Sequence, residues 1–201
     1  MHRVRDSQRR RLYQAERPVF EGHPQADAQM RITGFTTLVE KEQTTARWER
    51  LWKKYNPDAP SIPVVTVREG RGHATASFNH KKFEIRVPTR QNGAWARRKW
   101  VALHELAHAL TYESRPAHGW EFASAYLDLV RGSLGQELHD KLKASFRAHG
   151  VRFRPKRTMN LSPAQREERR QRMAAVRAKR KPKPMPMDID DVIGQWFSLP
   201  E

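Results

Sequence analysis

The chain has 201 residues, 37% hydrophobic and 30% charged, and its 39 Lys+Arg against 22 Asp+Glu leave a formal charge of +17. That length accommodates one domain with a real core plus tails, and is short for two. The absence of cysteine excludes a disulfide framework and any cysteine-ligated zinc ribbon, so a metal must be held by histidines and carboxylates. The basic excess attracts polyanions, nucleic acid first and an anionic membrane surface second; the plainer alternative is a solvated basic surface. No apolar stretch follows the Arg-rich start and no window approaches a membrane span, so a cytoplasmic protein without a membrane partner is expected.

Residues 1–30 read as a basic N-terminal arm, although Leu12, Tyr13, Val19 and Phe20 can dock on a core. From Thr37 to Tyr55 the pattern is helical: Trp48, Leu51, Trp52 and Tyr55 form one apolar stripe, and Asn56-Pro57 stops it. Three short strands are predicted next, over Ile62–Val67, Ala74–Phe78 and Phe83–Val87. A turn at Asn79–Lys82 joins the last two, and Phe83, Ile85 and Val87 share one face. Ala94–Glu113 reads as a helix ended by Pro116. A second helix is expected from Gly119 to Arg131, broken over Gly132–Gly135, and a third from Gln136 to His149 with Leu138, Leu142 and Phe146 in register.

Beyond Arg154 the composition shifts. Residues 151–187 hold 13 Lys+Arg and 2 Glu, so they carry +11 of the +17. Ser162-Pro163-Ala164-Gln165 predicts a capped helix start, but Arg166–Arg180 has almost no apolar stripe to bury. Residues 181–186 read as a Pro/Lys linker, and 188–201 as an acidic and aromatic end.

His104-Glu105-Leu106-Ala107-His108 carries the chemistry. Histidines at i and i+4 share a helix face, so two imidazoles can grip one Zn2+ at about 2.0–2.1 Å each. Zinc lowers the pKa of a water toward ~7, and Glu105 beside the first ligand can take its proton as general base. A catalytic zinc needs a third protein ligand. His118 is the expected one, since neutral imidazole is the common zinc ligand; Glu121 and Asp128 compete, and Glu121 can instead orient a ligand. Tyr112 and Tyr126 can stabilise an oxyanion or simply pack.

His104-Glu105-Leu106-Ala107-His108 followed by His118-Gly119-Trp120-Glu121-Phe122 resembles the signature of the SprT-like (Spartan-type) metalloproteases, H-E-x-x-H, a variable gap, then H-G-x-x-F. Asp6-Ser7-Gln8-Arg9-Arg10-Arg11-Leu12-Tyr13 is also similar to a small subgroup of metallohydrolases of actinobacteria and their phages, named for its motif rather than for an activity. The resemblance covers about residues 1–151. It implies an α+β, minimal zincin-like domain over 31–151: an N-terminal helix, a small three-stranded sheet, an H-E-x-x-H helix and further C-terminal helices. It also implies one zinc on His104, His108 and His118, with Glu105 as base. The better-known relatives degrade protein crosslinked to DNA, and many carry a cysteine zinc ribbon that this chain lacks.

The expected function is therefore a zinc metalloprotease acting on protein or peptide, with nucleic acid bound through residues 152–187. The alternatives are a nucleic-acid tether with a structural zincin domain, or a zinc hydrolase of a non-peptide substrate. Gln195-Trp196-Phe197-Ser198-Leu199-Pro200 is similar to the short clamp-binding peptides of replication and repair proteins. Residues 188–201 thus either meet a partner protein or dock on their own domain.

Overall fold

Helix α1, Arg9–Phe20, opens the structure, a computed structural model that describes residues 6–70, 74–114, 116–155 and 162–179. Its stripe of Leu12, Ala15 and Phe20 is fully buried, and Ser145 Oγ donates to the Ala15 carbonyl at 2.7 Å. Residues 1–30, read as an arm able to dock on a core, place Leu12 and Phe20 in that core. The boundary at residue 30 disappears because α1 supplies part of the core. The chain divides into two units at a different place, Met1–Lys156 and Arg157–Glu201. Gln8 ties Arg152 into the first unit by exchanging backbone hydrogen bonds at 2.9 and 2.8 Å.

The helix expected over Thr37–Tyr55 is two helices, α2 (Ile32–Gln43) and α3 (Ala46–Tyr55). Thr45 separates them by capping α3, its hydroxyl accepting from the Trp48 amide at 3.1 Å. Three strands follow, β1 (Thr66–Gly70), β2 (Ser77–Asn79) and β3 (Glu84–Pro88), in the order β1-β3-β2. β1 runs parallel to β3 and β2 antiparallel, with Phe78 opposite Ile85. Ile85 and Val87 on the central strand are fully buried.

All three strands start later than the apolar runs predict. The Gln43 side chain takes the backbone of Val65 in both directions, at 2.6 and 2.9 Å. Ile62 and Val64 stay exposed, so only Thr66 onward joins the sheet. Phe83 has a φ of 49°, a left-handed conformation outside strand geometry. Its ring is held among Trp52, Phe78 and Tyr112, and β3 begins at the next residue.

The helix expected over Ala94–Glu113 is also split, into a 3-10 turn at Gln91–Ala96 and α4, Lys99–Leu110. Met30 N donates to the Arg97 carbonyl at 2.8 Å and Gln29 bridges Arg98, which holds Arg98 extended just before α4. In α4 every residue except Lys99 and His108 is buried, as suits a helix packed on all sides. Its last carbonyl, Leu110, accepts from Asn56 Nδ2 at 2.8 Å.

α5 runs from Trp120 to Leu134, through the glycine expected to break it. A Cβ on Gly132 would lie 1.6 Å from Nη1 of Arg47, whose guanidinium crosses there to Glu42 and Ser133. The break falls at Gly135, with a φ of 94°. α6, Gln136–Ala148, buries Leu138, Leu142 and Phe146 as expected, and Gly150 closes it at a φ of 66°.

In the second unit, α7 spans Pro163–Lys179. Ser162 and Gln165 form the expected capping box, at 3.0 and 3.3 Å. The Pro/Lys linker and the clamp-like end lie outside the described residues. No described helix is long and apolar enough to cross a membrane.

Asn56→Ala strips the Leu110 carbonyl of a buried donor at the end of α4. It should lower unfolding free energy by about 1–3 kcal/mol, the usual cost of an unsatisfied buried group, measurable by urea denaturation.

Candidate metal centre

Helix α4 projects His104 and His108 one turn apart, and the short segment before α5 returns His118 to them. Ring centroids lie 5.1 Å apart for His104–His108, 4.6 Å for His108–His118 and 5.6 Å for His104–His118. One ligand atom from each lies within 4.8 Å of the others, and among the described residues no other three histidines or carboxylates are so placed. His104 and His118 are buried and His108 is half-buried.

Two carboxylates from the N-terminal segment fix the rings. Glu16 Oε2 lies 3.0 Å from His104 Nδ1, and Asp6 Oδ2 lies 2.6 Å from His118 Nδ1. An ionised carboxylate only accepts, so each Nδ1 carries the proton and each neutral ring presents the lone pair of Nε2 elsewhere. His118 Nε2 is buried with no hydrogen-bond partner, which costs about 1–3 kcal/mol unless something fills it. A metal ion is the chemical match for that orphaned lone pair, and the donor set of three imidazoles suits zinc.

The electrostatics agree with that fit. Burial holds His108 well below the ordinary histidine value, and the charges of His104 and His118 push it the same way. Burial and then His104 bring His118 down to about 4 against the opposing pull of Asp6. At neutral pH both rings are therefore lone-pair donors. For His104 burial is outweighed by Glu16 and Glu105, so its pKa rises. The carboxylates that favour a proton there favour a cation on Nε2 in the same way.

Glu105 is buried beside the three rings. Desolvation raises its pKa, while His104 and the Phe78 amide of β2 pull it down; the net shift is upward. A carboxylate tuned upward in this way is a better proton acceptor for chemistry near neutral pH. Glu105 and the three histidines line a cleft of about 770 Å3, whose walls include Phe78, Trp95 and Trp100.

The rival ligands stand apart. Asp128 pairs with Lys54 at 3.0 Å. Glu121 lies in the first turn of α5, its Oε2 2.9 Å from where a Gly119 Cβ would sit, and is not part of the histidine group. Tyr126 is fully buried and its hydroxyl donates to the Trp100 carbonyl at 3.3 Å. Tyr112 stacks on Trp52 at 5.8 Å. The sequence assigns Asp6, Arg9, Tyr13 and Glu16 no place at the metal centre, and Tyr13 only a docking role on the core. The signal was present: Arg9, Tyr13 and Glu16 at i, i+4 and i+7 make a polar stripe beside the apolar face of α1, and all three line the cleft.

Asp6→Asn and Glu16→Gln keep side-chain volume and remove the charge behind a ligand. Each should weaken zinc affinity about 10–100-fold, measured by competition with a chelating dye; unchanged affinity would mean these carboxylates only pack.

Comparison with protein-family models, with curated proteins and with solved structures finds no match to this chain.

Proposed function

We propose that this chain is a zinc-dependent metallohydrolase of the zincin type, acting as a metallopeptidase, with His104, His108 and His118 as ligands and Glu105 as general base. The observation that carries the reading is the convergence of three imidazoles on the floor of an open cleft, beside one buried carboxylate. A bound zinc ion supplies Lewis acidity toward water and toward a carbonyl group. Glu105 takes a proton from the attacking water as its oxygen bonds to the carbonyl carbon, and delivers it to the amine as the C–N bond breaks. Asp6 and Glu16 keep the ligand rings in one tautomer and orientation. A peptide substrate is favoured because β2 is an edge strand whose Ser77 and Phe78 line the cleft, and an extended chain can lie along such an edge. The lack of cysteine accords with a reducing, cytoplasmic setting.

Glu105→Gln should retain one zinc per chain by elemental analysis and lose at least about 10²-fold in hydrolysis of labelled casein. His118→Ala should lose the zinc while Glu121→Ala keeps it. Full activity in Glu105→Gln would overturn the assigned base.

A nucleic-acid-binding role for residues 152–187 accompanies this reading. The described side chains of α7 are exposed, so among the described residues nothing in its own unit covers a helix rich in arginine. Deleting residues 157–201 should abolish binding to a random-sequence DNA duplex, and binding by the full chain should fall steeply with salt. Equal affinity without the tail would remove this role and leave the hydrolase reading intact.

A further inference from the structure

Two aromatic rings touch the histidine cluster in different ways. Phe122 packs against all three imidazoles and is fully buried, so it serves as a wall. Tyr13 stacks on His104 at 5.5 Å, meets His118 edge-on at 5.5 Å, and remains 40% exposed where it lines the cleft. A phenylalanine could do the packing; what tyrosine adds is a hydroxyl beside two candidate ligands and next to open space.

Tyr13 is held in place. Leu12 and Ala15 on either side of it are fully buried, so α1 is anchored directly beneath it. One turn back on the helix, the Arg9 guanidinium lies over the ring, 5.5 Å from its centroid. The phenol carries one proton that it can donate to an acceptor in the cleft.

We propose that Tyr13 is a substrate-contacting catalytic residue, its hydroxyl donating a hydrogen bond to the carbonyl oxygen of the bond being cleaved, with Arg9 as the residue that positions it. The inference rests on the metallohydrolase reading and adds the group that meets the negative charge developing on that oxygen. A donor preset in a partly dry cleft stabilises such charge without reorganising.

The test uses the full chain loaded with cobalt(II) in place of zinc, wild type against Tyr13→Phe and Arg9→Gln. The visible spectrum reports the ligand set, and titration with acetohydroxamate reports an anionic oxygen bound at the site. Tyr13→Phe should leave the spectrum of the free protein unchanged and weaken acetohydroxamate binding about 10–100-fold, as loss of a hydrogen bond to a charged group does. Arg9→Gln should weaken it less. Equal affinity in wild type and Tyr13→Phe would overturn the inference and leave the metal site standing. A changed spectrum in free Tyr13→Phe would also overturn it, assigning Tyr13 to ligand packing. No cobalt spectrum in the wild type would overturn the metal reading and this inference with it.

Discussion

Glu16 and His104 are 88 residues apart in the chain and 3.0 Å apart in the fold, and both are almost wholly buried. A carboxylate that deep inside a protein is costly unless hydrogen bonds and opposite charge surround it. His104 answers it through its ring nitrogen. The pair ties α1 to α4 and thereby decides which nitrogen of His104 looks into the cleft. Without α1 in place, the ring would lose both its tautomer and its orientation.

The same constraint shapes the rest of the centre. Three imidazoles, Glu16 and Glu105 are gathered where water is largely excluded, with Asp6 at the margin. A divalent cation shared by the three rings would relieve the crowding better than a proton on each of them does. The Nε2 of His118, without a partner among the described residues, follows the same logic, since its Nδ1 is committed to Asp6. The apolar packing around α4 makes the arrangement rigid. Helices α2, α3 and α5 and strand β2 close around it, and the Asn56 amide satisfies its far end, leaving His108 and the cleft as its opening to solvent.

Much of this was legible along the chain. The spacing of His104 and His108 on one helical turn, the return of His118 ahead of α5, and the α5–α6 pair follow from local patterns. So does the capping box of α7. These features depend on residues within a few positions of one another, where the helical period and capping chemistry act directly. The strand starts, the helix break at Arg98 and the passage of α5 through Gly132 were not legible. Each is decided by a distant partner: Gln43 claims Val65, Met30 claims Arg97, and Arg47 occupies the space that Gly132 leaves.

The amino-acid sequence by itself therefore determined helices α5, α6 and α7, the lack of any cysteine ligand and the three histidines that meet. Only the tertiary structure decided that α1 belongs to the centre, placing Asp6 and Glu16 behind two of the rings and Tyr13 over the cleft. A carboxylate at i+7 from an arginine reads as a solvated helix face until the fold turns that face inward. Burial, which turns such a carboxylate from ornament into constraint, is a property of the packed chain and not of its order.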